Sequence, residues 1–205
     1  MGTKERRQHE REALRRLILD TASQIMINEG IENLTIRRLA RSIEYSPRTI
    51  YLYYRDKKSL LEAIVEEGFA HTLHMRSQEA PARYSSLREL MEVRIRAHVD
   101  TAFRNPNFYR AVIYLIQATG LTAGPNQRQL TVMTAQEMST FIPSLKDDDE
   151  LANKTAKIIM AAVRGFTIEQ LNSADRRSGS ERQEMIDRFI DIILKGLENI
   201  TGDDV

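Results

Sequence analysis

The sequence predicts an all-α protein, with an N-terminal helix-turn-helix head of three helices and a larger helical body, about nine helices in total. Three observations carry that expectation. Apolar residues recur at three- and four-residue steps along most of the chain, and hydroxyl, proline and glycine residues cut this pattern into segments of helical length. Strand-like alternation is nearly absent. The composition, 41% hydrophobic and 29% charged with only 6% aromatic residues among 205, suits helices packed around modest cores.

Taken in order, residues 5–28 carry the stripe Leu14, Leu17, Ile18, Thr21, Ala22, Ile25 and Met26, and Gly30 is suited to close that helix in the left-handed region. Thr35 caps a short helix from Ile36 to Ile43. Ser46-Pro47 repeats the start signal, a capping hydroxyl followed by proline at the first helical position, for a third helix to about Tyr54. Asp56 caps a fourth from Lys57 to about Gln78. After Pro81, Ser85 or Ser86 starts a helix reaching Phe103, and Asn105-Pro106 starts another through Ala118. Gly120 to Pro125 is a loop, Asn126 to Phe141 a helix, and Pro143 to Asp147 a turn. Two long helices, about 148–172 and 181–200, follow, split by the polar loop Ser173 to Ser180. The expected domains are a head over residues 1–58 and a body over residues 59–205.

Charge divides along the same line. Residues 1–58 hold thirteen Lys/Arg against eight Asp/Glu, while the rest of the chain is net acidic, which points the head at a polyanion. No apolar run is long enough to cross a bilayer, so no membrane partner is expected. Arg6-Arg7 near the start, without an apolar stretch behind them, argue against a secretory signal and make the cytoplasm the default compartment. The absence of cysteine excludes disulfides and thiolate-bound metals. Glu67, His71 and His74 share a helix face with metal-ligand spacing, but such residues are more often solvated, and no metal or cofactor is expected. Asp147 to Glu150 reads as acid at a helix start rather than a calcium loop. An enzyme is not expected either: glycine-rich phosphate loops and hydrolase signatures are missing, and the best acid–base pair on offer is His98 with Glu169.

The head carries the functional motif. Two short helices joined by a tight turn, with a supporting helix on each side, make a helix-turn-helix, and the major groove admits one helix. Ile50 and Tyr54, four apart, pack inward against Leu39, Ile43 and Leu17; Pro47, Arg48, Thr49, Tyr51 and Tyr53 then face out. The run from Thr35 to Ile43, then Ser46-Pro47-Arg48-Thr49-Ile50-Tyr51-Leu52-Tyr53-Tyr54 and Lys57-Lys58-Ser59-Leu60-Leu61, closely resembles the signature of the tetracycline-repressor (TetR) family over about residues 12–65. That resemblance implies that Thr35, Tyr51 and Lys57 hold phosphates, and that Arg37, Pro47, Arg48, Thr49 and Tyr53, beside the capping Ser46, touch base edges or nearby backbone. Thr35 and Lys57 stand at helix starts that favour anions, and Arg48 can fork onto guanine. One residue departs from the pattern: Glu44 stands in the turn where the family usually has glycine. A positive φ there would strain Glu44 by about 1 kcal/mol.

In the body the resemblance is looser. Asn105-Pro106-Asn107-Phe108-Tyr109-Arg110 and Arg164-Gly165 resemble a subgroup with an Asn-Pro-x-x-Tyr-Arg stretch and a His-Gly pair, with Arg164 in place of the histidine. The last two helices are expected to form a homodimer face, from Ile158, Ala161, Ala162 and Gly165 on one and Ile186, Phe189, Ile190, Ile193, Leu197 and Ile200 on the other. Gly165 inside a helix suggests close helix approach.

Arg94 and His98 interrupt the apolar face of the helix after Ser86, and Gln117 interrupts another. Either they pair internally, Arg94 with Glu169 for instance, or they orient a small-molecule effector in a pocket lined by Met91, Phe103, Tyr109, Tyr114, Met133 and Phe166. The expected function is a ligand-responsive transcriptional repressor bound as a homodimer to a double-stranded, palindromic operator; the alternatives are a constitutive DNA-binding or scaffold protein.

Overall fold

The computed structural model describes residues 3–78, 84–118, 124–174 and 178–198; Pro81, Ile200 and the centres of two expected loops lie outside them. Among the described residues there are nine α-helices and no strand. These are α1 (Thr3–Glu29), α2 (Ile36–Ser42), α3 (Pro47–Tyr51), α4 (Lys57–Ser77), α5 (Leu87–Arg104), α6 (Pro106–Ala118), α7 (Pro125–Ser139), α8 (Asp149–Asn172) and α9 (Gly179–Glu198). Single 3-10 turns, Ile31–Asn33 and Pro143–Leu145, follow α1 and precede α8. The residues form two compact units, Met1–Gly68 with Asn105–Gly124, and Phe69–Arg104 with Pro125–Val205. The first unit thus extends past residue 58 and takes in α6, while α4 supplies residues to both.

The first unit is built on α1. Ile18, Ala22, Ile25 and Met26 are buried there with Leu34, Leu39, Ile50, Leu60 and Ile64. Leu17 does not join them; it is 44% exposed, because the buried stripe of α1 runs through Ile18 and Ala22 and turns Leu17 away. At the end of α1 the Gly30 N–H donates to the Met26 carbonyl at 3.1 Å, and its φ of 89° is one that glycine adopts without strain. From α6, Asn107 donates its amide to the Ile27 carbonyl at 2.9 Å, tying the two helices together.

Glu44 has φ of 59° in the turn between α2 and α3, where the Tyr45 N–H closes back on the Ala40 carbonyl at 2.9 Å. The turn therefore imposes the left-handed conformation on a residue with a Cβ. Glu44→Gly is expected to stabilise the first unit by about 0.5 kcal/mol at most, the relieved strain only just outweighing the entropy of glycine, as read by denaturant unfolding.

The second unit packs α5, α7, α8 and α9 around one core. Leu90, Met91, Ile95 and Val99 of α5 meet Ala135 and Met138 of α7, Ala152, Ala156 and Val163 of α8, and Ile186, Ile190, Leu194 and Leu197 of α9. Ile142 and Leu145 close the end beside the 3-10 turn. The Phe166 and Phe189 rings stack at 4.2 Å between centroids, joining α8 to α9. On the surface Arg88 reaches Asp191 at 2.9 Å, and Arg96 pairs with Asp187.

Candidate nucleic-acid interface

Local chemistry shapes α3. The Ser46 hydroxyl accepts from the Thr49 N–H at 3.2 Å and lies 3.0 Å from the Thr49 hydroxyl, with Pro47 at the first helical position. Cap and proline together start a helix of one and a half turns at a fixed point. Ile50 is fully buried and Tyr54 is 5% exposed, which anchors one side. Pro47, Arg48 and Tyr51 stand exposed on the other, with Thr49 and Tyr53 half-buried beside them. In α2, Thr35 caps by accepting from the Arg38 N–H at 3.1 Å, and Arg37 is exposed. Arg38 is held elsewhere, on the Glu29 carboxylate at 2.5 Å. Lys57 donates to the Ile31 carbonyl at 3.2 Å, which orients its ammonium and leaves donors over, since that group carries three hydrogens. The residues expected to face a duplex thus lie on two short consecutive helices and the start of α4.

Residues 18–64 match the family model described as bacterial regulatory proteins, tetR family. An uncharacterized HTH-type transcriptional regulator, YvkB of Bacillus subtilis (strain 168), is 23% identical over 189 residues, 88% of this chain and 95% of YvkB. The N-terminal segment of this chain is thus similar to the DNA-binding segment of TetR-family regulators. BioQ with its natural double-stranded DNA operator shares the fold at a TM-score of 0.60 and 21% identity, covering 89% of this chain and 96% of that one. So does a TetR variant from Acinetobacter baumannii AYE in complex with minocycline, at 0.67 and 16%, covering 89% and 95%. No described helix is long and apolar enough to cross a membrane.

The residues expected to form an effector pocket divide between the units. Tyr109, Tyr114 and Gln117 belong to α6 in the first; Tyr114 is 60% exposed, and the Gln117 side chain lies outside the described residues. Met91, Arg94, His98, Phe103, Met133 and Phe166 belong to the second, where Met91 is buried in the core and the other five are half-buried. Arg94 is bound by Glu137 of α7 at 2.7 Å; Arg76 of α4 holds the other side of the same carboxylate. Glu137 is the only acidic residue of α7, a signal in the sequence that could have pointed to it. An open cleft of about 500 Å³ between α7 and α8, lined among others by Gln136, Lys146, Asp149 and Asn153, contains none of the expected pocket residues.

Two polar groups in the second unit are withdrawn from water, His98 partly and Gln170 almost wholly. His98 has its pKa pushed down from 6.5 to about 4 by burial and by the Arg164 guanidinium, so it is neutral near pH 7. Gln170 of α8 is 2% exposed, and neither its amide nitrogen nor its amide oxygen has a hydrogen-bond partner. Sequence reasoning missed Gln170, although Val163, Thr167, Gln170 and Leu171 form one buried face whose glutamine stands out.

The depressed His98 value fixes an acid response. Above pH 6.5 the histidine is neutral in folded and unfolded chains alike; between pH 6.5 and 4 only the unfolded chain takes up the proton. Up to about 3 kcal/mol of stability is therefore lost across that window. His98→Leu is expected to flatten the decline, as measured by denaturant unfolding at pH 7 and pH 4.5.

The residues expected at a dimer face also divide. Ile186, Ile190 and Leu197 are buried in the protomer's own core, because the strongest apolar stripe of α9 faces α5 and α8. Phe189 and Ile193 are half-buried against the same core. Ile158 is 68% exposed, Ala161 and Gly165 are exposed, and Ala162 is half-buried. On α9, Met185 and Ile192 are 40% and 60% exposed. A Cβ added at Gly165 meets nothing within 4 Å, so no close approach within the protomer requires glycine there.

Proposed function

We propose that this protein is a homodimeric transcriptional repressor that binds a palindromic operator through α3 and releases it when a small molecule binds in the second unit. The observation that carries the reading is α3 itself: a capped, anchored helix whose exposed side presents Pro47, Arg48 and Tyr51, with Arg37, Thr35 and Lys57 nearby for phosphate contacts. In this reading Arg48 forks onto guanine, Thr49 and Tyr53 meet base edges or sugar, and Tyr51 and Lys57 clamp the backbone. BioQ, a structural neighbour solved with its operator, supports the DNA-binding half.

Dimerisation is supported by Ile158, Met185 and Ile192, exposed apolar residues on α8 and α9, beside the open surface at Gly165. A partner helix laid there buries the isoleucines and uses the space that glycine leaves. Effector binding is supported by Gln170 and His98. An unpaired buried amide costs about 1–3 kcal/mol, which a ligand with complementary donors and acceptors restores. The neutral His98 imidazole of the same unit suits an uncharged polar group on a largely apolar molecule. A structural neighbour was solved in complex with a small molecule, minocycline. The effector shifts DNA affinity only by its differential affinity for the bound and free forms, typically 1–3 kcal/mol, and operator DNA must weaken the effector by the same factor.

Selection of duplexes from a random pool by the wild type, followed by sequencing, tests the reading. It is expected to return an inverted repeat with half-sites about one helical turn apart. Pools without a repeated half-site would contradict a dimer reading two successive major grooves.

A further inference from the structure

The first half of α1 lies outside the segment that matches the family model, which begins at Ile18. All side chains described from Lys4 to Leu17 are exposed or half-buried, so nothing in the first unit's core holds this stretch. It nevertheless carries six cationic residues, Lys4, Arg6, Arg7, Arg11, Arg15 and Arg16, against Glu5, Glu10 and Glu12. Their placement is not even. At 3.6 residues per turn Lys4, Arg7, Arg11 and Arg15 fall within an arc of about 80°, and the three glutamates lie on other faces. The four extend the line of Ile18, Ala22 and Ile25, the residues by which α1 packs on the head. The basic stripe is thus the solvent-side continuation of the packing face of α1.

Two contacts show where it points. The Arg11 guanidinium sits 6.0 Å from the centroid of the Tyr53 ring, at the end of the reading helix. Arg15 is close enough to Tyr54 to pull its hydroxyl toward ionisation, against the burial that raises its pKa. Arg6 pairs with Glu10, and Arg16 lies 4.0 Å from Asp20, both away from the stripe.

We propose that Lys4, Arg7 and Arg11 form a second DNA-contact surface, one that grips the phosphate backbone flanking the base pairs read by α3. The proposal rests on the DNA-binding function above and adds a site to it. The stripe from Lys4 to Arg15 is about 16 Å long, and one strand of duplex presents a phosphate every 3.4 Å of axis, so several phosphates lie within its reach. A solvated stretch of this length is a marginal helix by itself, and neutralising its like-charged face against an anion favours the helical form. The contact is sequence-independent, so it raises affinity for every duplex equally.

The test compares two charge-matched double variants of the full chain, Arg7→Gln/Arg11→Gln on the stripe and Arg6→Gln/Arg16→Gln off it. Binding to a random-sequence duplex and to a duplex selected by the wild type is followed by fluorescence anisotropy from 50 to 200 mM salt. The stripe variant is expected to lower the slope of log affinity against log salt by roughly 1.8 per protomer, the value for two lost phosphate contacts, and to weaken both duplexes by the same factor. The off-stripe variant should keep the wild-type slope. Equal losses from both variants would show a net-charge effect alone, and no loss from the stripe variant would show that α1 binds something else or nothing; either overturns the proposal. The head is read separately with Lys57→Ala: if it weakens binding while the stripe variant does not, the site on α1 fails and the role of α3 stands. A wild type that binds neither duplex removes both.

Discussion

Glu137→Ala is expected to be the most destabilising single change in the second unit, at about 3 kcal/mol, or a fall in Tm of roughly 6–12 °C for a chain of this size. Its carboxylate lies between Arg76 and Arg94, and the three side chains are 12%, 18% and 18% exposed. Removing the anion leaves two cations facing each other in a poorly solvated place, and this penalty exceeds the modest net worth of either pair. Arg94 is further packed against the Tyr84 ring, 5.4 Å from its centroid, and cannot easily swing into water. Glu137→Gln should lose nearly as much, because it keeps the shape and removes the charge. Calorimetry of both variants checks this; a glutamine variant as stable as wild type would show that packing, not charge, carries the contribution of this residue.

Ile158→Asp is expected to turn the proposed dimer into a folded monomer. The side chain is 68% exposed in the protomer, so aspartate there disturbs no internal packing, yet it places a charge in the proposed seam between copies. Sedimentation should give the single-chain mass while circular dichroism keeps its helical signal. Operator affinity should fall by about 100-fold or more, since each head then binds its half-site without the effective concentration supplied by its twin. A variant that sediments as a dimer would move the seam off this face.

How much of this was legible in the sequence depends on the range of the interaction. Thr35, Ser46-Pro47 and Gly30 act on their own neighbours, and the helix ends they signal lie within a residue or two of the observed ones. The strained turn at Glu44 was equally local, and its φ of 59° follows from the turn type. Partnerships across the chain were not legible. Arg94 finds Glu137 of α7, and periodicity does not reveal which helices become neighbours. The same gap explains α9: Ile186, Ile190 and Leu197 form a strong stripe whether its target is the protomer's own core or another chain. Leu17 failed for a smaller reason, since Leu17 and Ile18 both fit an apolar stripe and only packing decides which of them faces in.

Arg48 decides whether α3 reads DNA sequence. Wild type and Arg48→Ala are titrated with the duplex selected by the wild type and with a random duplex at one fixed salt concentration. Arg48 is exposed, so its loss should leave the fold unchanged. The account predicts that random-duplex affinity changes little while the selected duplex weakens by about 1–3 kcal/mol for each bidentate contact removed, so that the ratio of the two collapses. An unchanged ratio would contradict it: the protein would then hold DNA without α3 reading its bases through Arg48.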